Sequence, residues 1–232
     1  MKTRNTLLWL PLAALIGACG DSGSSASQSS AARGASSCIA DYAQRACELF
    51  TTDLVAGVYA DLPDDVKTEE TAATRSCQHS WPGDRTQVIK AGNMEMELPL
   101  HNRVGISWIE KKKDIDGAEA WFRHVYRTLS EEEKAATIAA LDKELEKQAA
   151  GLSDDQKALA GSFGRGMINA SRYEIVEGVG TVAAWDAGPR GYTLKVLDGD
   201  TEFGIEADIS EDGSVDRDLA SALARAVIAA CP

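Results

Sequence analysis

Three side chains with reactive groups lie together in the segment Cys77-Gln78-His79-Ser80. If this segment is a strand, Cys77 and His79 share one face, so an imidazole could act as the base for a thiol nucleophile. A disulfide at Cys77 would remove that nucleophile, and no complementary acid–base set accompanies it in the sequence. We therefore expect no catalytic role for Cys77, His79 or Ser80, with a hydrolase as the alternative.

A second group of chemically capable residues forms an acidic loop near the C-terminus. Its alternating oxygen donors are similar to those that open an EF-hand loop: Asp208, Ser210, Asp212 and Asp216. An EF-hand also needs a bidentate Glu at its twelfth position, where this chain has Leu219. We therefore predict an ordinary strand-to-helix connection and no metal or cofactor site, with weak calcium binding as the alternative.

This loop belongs to a wider acidic segment, residues 198–218, which contains nine carboxylates and Arg217 as its only base. A solvated sheet face is one interpretation of this charge. The alternative is a contact surface for a basic partner, whose association would be fast and sensitive to salt. The residues that we expect to form such a surface are Glu202, Glu206, Asp212 and Asp216.

The N-terminus has the pattern of an export signal. Lys2 and Arg4 precede an apolar run over residues 7–18 that is too short to span a bilayer. The segment Leu15-Ile16-Gly17-Ala18-Cys19 resembles the lipobox of bacterial lipoproteins. That resemblance implies a signal peptide at residues 1–18, acylation of Cys19 and a place in the cell envelope. Since Gly20 replaces the usual retention signal, Asp, it also favours the outer membrane.

Composition limits the possible partners of the exported protein. The formal net charge is −12. Loss of the signal peptide would remove two positive charges and make the net charge more negative. So acidic a chain is repelled by nucleic acid and by anionic lipid headgroups. Attachment to a membrane would then depend on the lipid at Cys19, through a flexible Ser/Ala/Gly-rich tether at residues 19–37.

Four further cysteines are available for disulfides: Cys38, Cys47, Cys77 and Cys231. An even number of cysteines in an exported chain predicts two disulfides, which could form in three ways. No Cys-x-x-Cys spacing is present, which argues against a zinc site.

The pattern of apolar residues predicts the elements that would position these groups. A helical stretch covers residues 41–62, interrupted near Thr51, and residues 64–75 read as a charged loop. A short strand at 77–81 and a hairpin turning across 99–103 follow. Helices are predicted over a helical insertion at about 117–168, where Ser130 with Glu133 and Ser153 with Gln156 have the capping-box pattern of helix starts. Strands are predicted from 173 to 209, one of them from the alternation of Phe203, Ile205 and Ala207, and a final helix follows. This order indicates one α+β domain at 38–232, an antiparallel sheet with helices packed on it.

Several segments of the mature chain resemble small DUF3558-like envelope lipoproteins, a group without an assigned activity. The similar segments are Ala46-Cys47-Glu48-Leu49-Phe50-Thr51, Cys77 with its short strand, residues 178–185 and residues 194–199. The resemblance implies a Cys47–Cys77 disulfide. We also expect a Cys38–Cys231 disulfide, which would tie the two ends of the domain together.

Taken together, these patterns predict a lipid-anchored envelope lipoprotein that acts as a non-catalytic binding or interaction module. Its expected partners are the membrane, reached through the lipid, and a basic envelope protein. Nucleic acid is excluded by charge. The alternatives are an envelope hydrolase and a weak calcium-binding lipoprotein.

Overall fold

The computed structural model describes residues 38–91, 94–113, 116–148, 153–188 and 192–231. The helices are α1 (Ala46–Leu49), α2 (Thr52–Val58), α3 (Ala118–Val125), α4 (Glu131–Gln148), α5 (Asp154–Ala170) and α6 (Gly213–Ala229). The strands are β1 (Lys67–Thr71), β2 (Ser76–Ala91), β3 (Met94–Lys111), β4 (Tyr173–Val176), β5 (Val182–Asp186), β6 (Thr193–Asp198) and β7 (Thr201–Asp208). None of these helices has both the length and the apolar character to cross a membrane.

All seven strands form one antiparallel sheet in the order β1-β2-β3-β7-β6-β5-β4. The C-terminal strand β7 lies at the centre, between the N-terminal strands and a meander of β4, β5 and β6. The predicted α+β class, an antiparallel sheet with helices packed on it, is confirmed. The signal peptide, Cys19 and the tether at 19–37 lie outside the described residues.

One face of the sheet carries the main core. Alternate residues of β7, namely Phe203, Ile205 and Ala207, are fully buried on this face. Helices α1, α2 and α6 cover it, and Phe50, the residue after α1, packs there with Leu223 of α6. Thr51 interrupts the first helical stretch as predicted, because its hydroxyl caps α2 by accepting from the N–H of Leu54 at 3.1 Å.

Two disulfides tie this covered face together. Cys47 of α1 is bonded to Cys77 of β2, which fastens the first helix to the sheet. Cys38 is bonded to Cys231, which joins the start of the domain to the residue after α6. The prediction of disulfide bonds is therefore confirmed, and the two pairings are those expected from the sequence.

The N-terminal half of the sheet differs from the sequence prediction in two places. Residues 67–71, expected to be loop, form the edge strand β1, because their backbone pairs with β2 even though their side chains are mostly exposed. The hairpin does not turn across 99–103. Instead β2 continues beyond Pro82 through a register shift between Pro82 and Thr86, and β3 runs from Met94 to Lys111. An irregular register accommodates proline within paired strands.

The second face of the sheet is only partly covered by the described helices. Phe122 of α3 is fully buried against Val182, Ala184 and Leu197 of β5 and β6. Helices α4 and α5 pack on each other, and their predicted capping boxes are present at Ser130 with Glu133 and at Ser153 with Gln156. We call the remaining part of this face, on β2, β3, β7 and the start of β6, the open face.

Candidate functional site

The open face contains a pocket of about 280 Å³, which we call the open-face pocket. Its floor is formed where β3, β7 and β6 lie side by side. Ser107 lies opposite Gly204, which lies opposite Lys195, and in the adjacent row Gly105 lies opposite Glu206, which lies opposite Thr193. Residues of β1 and β2 form its other side. The pocket is therefore built from segments far apart in the sequence.

Small residues make the floor concave. A Cβ atom added at Gly204 would lie 3.1 Å from Thr193 Cγ2 and 3.2 Å from Ser107 Oγ, closer than side chains normally approach. Glycine at this strand position keeps the hydroxyl of Ser107 accessible from the pocket. A glycine in the middle of a strand weakens the strand but allows another group to approach the backbone closely. Gly204 thus lowers the stability of β7 but leaves space above the floor of the pocket.

Lys195 brings a positive charge to this floor. Its pKa is lowered because partial burial disfavours the charged ammonium, and nearby carboxylates, Glu202, Asp186 and Glu206, only partly oppose that effect. Within the part of the chain that the structure describes, its ammonium makes no ion pair or hydrogen bond. The lysine therefore has three donors available to a bound ligand.

Glu206 brings a negative charge to the same pocket. Arg103 Nε lies 3.0 Å from Glu206 Oε1 and 3.2 Å from Asp208 Oδ2. Since Arg103 Nε makes no hydrogen bond, these contacts act through charge alone. Burial raises the pKa of Glu206, and the charge of Arg103 lowers it to a smaller degree. One carboxylate oxygen of Glu206 thus contacts Arg103 on β3, which lies on the opposite side of β7 from the strand of Lys195. Glu206 still lines the pocket.

An exposed tryptophan stands at the edge of the pocket. Trp108 has a φ of 56°, a left-handed conformation that is strained for a bulky residue. It lies in a register irregularity between Ser107 and Glu110, where β3 departs from β7. Such bulges redirect side chains beside binding sites. The indole is 58% exposed and adds an apolar wall to an otherwise polar pocket.

The acidic residues predicted to form an interaction surface lie in different environments. Glu206 lines the open-face pocket. Glu202 is buried and forms an ion pair with Lys112 at 2.7 Å, while Tyr126 donates its hydroxyl to the other oxygen at 2.6 Å. The bases that balance these acids come from the adjacent strand β3 and the residue after it. These bases lie outside residues 198–218, so the composition of that segment alone does not reveal them.

Asp212 and Asp216 are parts of the connection from β7 to α6. Asp212 caps α6 by accepting from the N–H of Ser214 at 2.9 Å. Asp216 is fully buried and accepts from the N–H groups of Ile209 and Ser210 at 2.9 and 3.1 Å. Both carboxylates therefore stabilise the connection, and Asp216 is not accessible to a partner.

The four oxygen donors considered for calcium also have protein partners. Asp208 accepts from Arg85 at 2.7 Å, and the hydroxyl of Ser210 accepts from the N–H of Asp212 at 3.0 Å. Asp212 and Asp216 are engaged as described above. Among the described residues, no group of three or more His, Cys, Asp or Glu side chains could hold a metal ion.

The segment with the reactive side chains belongs to the packed core. The sulfur of Cys77 is bonded to Cys47. His79 is buried and its nitrogens lie 2.8 Å from the carbonyl oxygen of Phe50 and 2.9 Å from the hydroxyl of Thr68. Both ring nitrogens are therefore occupied by structural hydrogen bonds, and Ser80 lies on the opposite side of β2 from Cys77 and His79.

A larger groove, of about 500 Å³, follows α5. Its apolar lining includes Phe163, Met167 and Tyr173, and Asp186 is the charged residue among its described lining. This groove offers apolar area but few polar groups that could orient a ligand. In contrast, the open-face pocket combines one ammonium, two carboxylates and five hydroxyl-bearing residues over a smaller volume.

Comparison of the chain with protein-family models, with curated proteins and with solved structures finds no match. The site must therefore be interpreted from its own chemistry. Hydrogen-bonding groups of both charges converge in a concave surface with an aromatic edge, an arrangement typical of a small-molecule binding site. The sequence analysis identified Glu206 but not Lys195, Ser107, Thr193 or Trp108. Glycines at the centre of β3 and β7, on the polar side of each strand, were the available signal.

Proposed function

We propose that this protein is a lipid-anchored envelope lipoprotein that binds a small polar ligand in the open-face pocket without transforming it. The observation that carries the proposal is the half-buried ammonium of Lys195, which has no ion pair or hydrogen bond within the described residues. Partial burial without a partner is unfavourable for a charge. A bound ligand that supplies an acceptor removes this penalty.

The shape of the pocket supports a small ligand. Its volume is about 280 Å³, at the lower limit of the roughly 300–1,000 Å³ that is usual for small-molecule pockets. Ser107 and Thr193 add hydroxyls that can donate or accept. A pocket of this volume has room for one small molecule or for a single side chain of a larger partner, and a small molecule is the simpler occupant.

The structural roles of the reactive residues support binding without catalysis. An acyl-transfer enzyme needs a nucleophile with its base in hydrogen-bonding reach. In this chain the sulfur of Cys77 is held in a disulfide and the imidazole of His79 is held by Phe50 and Thr68. The hydrolase alternative therefore has no support from these residues.

Attachment at the envelope is supported by the lipobox-like segment ending at Cys19 and by the Ser/Ala/Gly-rich residues after it. The two disulfides support an oxidising compartment, because disulfides form and persist in exported proteins. In this proposal the lipid holds the protein at the membrane, and the acidic domain is free of direct attraction to anionic headgroups.

The proposal is tested by filling the pocket. Ser107→Leu places an apolar side chain on the floor, while Ser80→Leu makes the same change on the same face outside the pocket lining. Both proteins are extracted from membranes in detergent and examined by native mass spectrometry for retained small molecules. We expect an adduct in the wild type and in Ser80→Leu that is lost in Ser107→Leu. Equal adducts in both variants, or none in the wild type, would contradict the proposal.

The same spectra test the anchor. The expected mass is that of a chain beginning at an acylated Cys19, and Cys19→Ala should leave an unprocessed or unlipidated protein. A wild-type mass that matches an unmodified chain cleaved at another residue would overturn the lipoprotein assignment, independently of the binding result.

A further inference from the structure

The open-face pocket brings together a lysine and a glutamate whose opposite charges do not form an ion pair with each other. Lys195 lies opposite Gly204 on β7, and Glu206 is two residues further along the same face of that strand. Diagonal neighbours of this kind are normally within reach for long side chains. However, no ion pair within 4 Å joins them, and the charge contact of Glu206 is with Arg103 on the opposite side, in β3.

Each charge therefore retains a capacity for a ligand. The ammonium of Lys195 makes no ion pair or hydrogen bond in the part of the chain that the structure describes. Of the two oxygens of Glu206, Oε1 faces Arg103, and the residue also lines the pocket. A ligand with one group of each sign, separated by a few atoms, complements this arrangement better than a simple anion or a simple cation.

Resting on the proposed function, we infer that the ligand is a small zwitterion, a free amino acid, whose carboxylate binds Lys195 and whose ammonium binds Glu206. Thr193 lies opposite Glu206 and two residues from Lys195 on β6, and Ser107 lies on the other side of Gly204 from Lys195. Their hydroxyls supply hydrogen bonds to the ligand. The indole of Trp108 forms the apolar wall against which the ligand's side chain packs.

A simple anion fits the pocket less well, because Glu206 and Glu69 also line it and like charges repel at short range. A simple cation fits less well because of Lys195. A simple cation would leave the ammonium of Lys195 unpaired, and a simple anion would use only Lys195 and leave Glu206 with Arg103 as its ion-pair contact. A site with unsatisfied polar groups discriminates strongly against such incomplete ligands.

The inference is tested on the full mature protein with defined probes. The twenty free amino acids are screened by the shift in melting temperature. The amino acid that stabilises most is then compared by calorimetry with its amide, which lacks the carboxylate, and its N-acetyl derivative, which lacks the ammonium. We expect the free amino acid to bind at least tenfold more tightly than either derivative. No shift with any amino acid, or equal affinity for all three forms, would overturn the inference.

Two variants assign the charges within the pocket. Lys195→Met should abolish the preference for the free amino acid over the amide but keep the preference over the N-acetyl derivative. Glu206→Gln should do the reverse. Lys143→Met and Glu146→Gln, on the exposed side of α4, should preserve both preferences. If each pocket variant weakens all three forms equally, the charge assignment is wrong.

The outcome distinguishes this inference from the proposed function on which it rests. An adduct that is lost in Ser107→Leu but is not an amino acid leaves the binding function standing and overturns the zwitterion. Loss of both results, with no adduct and no stabilisation by any amino acid, overturns both.

Discussion

The two faces of the sheet differ in kind, and β7 shows both within one strand. Phe203, Ile205 and Ala207 are fully buried on the covered face, where α6 and α2 pack. One disulfide fastens α1 to β2 on this face, and the other joins the two ends of the domain. Glu202, Gly204 and Glu206 alternate with them on the other side. The covered face obeys the rules of a stable core, whereas the second face collects a glycine, buried charges and a strained tryptophan.

The difference indicates where function resides. Charged groups on the open side of the sheet have incomplete hydrogen bonding: Arg103 Nε and Glu202 Oε2 make ion pairs but no hydrogen bond. The ammonium of Lys195 makes neither within the described residues, which is unfavourable for a partly buried charge. Proteins keep such locally unfavourable groups chiefly where a binding or catalytic site requires them. The covered face therefore stabilises the fold, whereas the open side of the sheet contains groups that lower its stability.

The largest expected effect comes from opening the covered face. Phe203→Ala removes a fully buried ring and should lower the free energy of unfolding by about 3–5 kcal/mol. Urea denaturation followed by tryptophan fluorescence measures this change. The comparison of the faces would fail if Phe203→Ala and Lys195→Met destabilised the protein by similar amounts.

The Cys47–Cys77 disulfide should have the next largest effect. Replacing both cysteines by Ala frees α1 from β2 and should cost about 2–4 kcal/mol, mainly through the greater freedom of the unfolded chain. The urea midpoint of this double variant is compared with that of the oxidised wild type. A midpoint unchanged by the double replacement would show that α1 is held by packing alone.

The two faces also differ in how well the sequence predicted them. The alternation of Phe203 and Ile205 identified β7 and its buried side, and the capping pairs at Ser130 and Ser153 located two helix starts. These features are local, because each depends on the spacing of residues within one element. The helical stretch near Thr51 was predicted for the same reason.

The open-face pocket could not be found in this way. Ser107, Lys195 and Glu206 meet only because β3 pairs with β7 and β7 with β6, a consequence of the sheet order. The extension of β2 beyond Pro82 was also missed, because proline and glycine usually end a strand and only the register shift with β3 shows how they are accommodated. Long-range pairing decides both features.

Trp108→Gly tests whether the open face contains a strained residue. A large-to-small substitution usually lowers stability, but this one should not. The φ of 56° at Trp108 suits glycine, which avoids about 1–2 kcal/mol of strain but adds about 0.5–1 kcal/mol of unfolded-state entropy. We expect stability to rise slightly or to stay level, by about 1 kcal/mol at most. The variant should still lose ligand affinity if the indole forms the pocket wall.

Trp121→Gly is the matched control for that change. Trp121 is also exposed, but it lies within α3 and packs over Lys112. Glycine inside a helix costs about 1 kcal/mol, so this variant should be less stable than the wild type. If both tryptophan variants lose stability equally, the left-handed conformation at Trp108 carries no strain.

The smallest expected effect is a pH dependence at Glu206. Burial raises its pKa above the ordinary value, with Asp208 adding to the rise and Arg103 and Lys195 opposing it. A raised folded-state pKa means that the contribution of Glu206 to stability is fully present below the unfolded pKa, about 4.3. That contribution is lost as the pH rises through the folded pKa.

Glu206→Gln cannot ionise, so its stability relative to the wild type should increase from acid towards neutral pH. Other buried carboxyls with raised pKa values, such as Asp216, titrate in both proteins and cancel in the difference. Urea midpoints at a series of pH values measure this difference, and Glu146→Gln on the exposed surface should give a flat one. A stability difference between Glu206→Gln and the wild type that falls as the pH rises would mean that the charge of Arg103 affects the pKa of Glu206 more than burial does. Glu206 would then belong with the structural ion pairs of the sheet rather than with the groups held ready for a ligand.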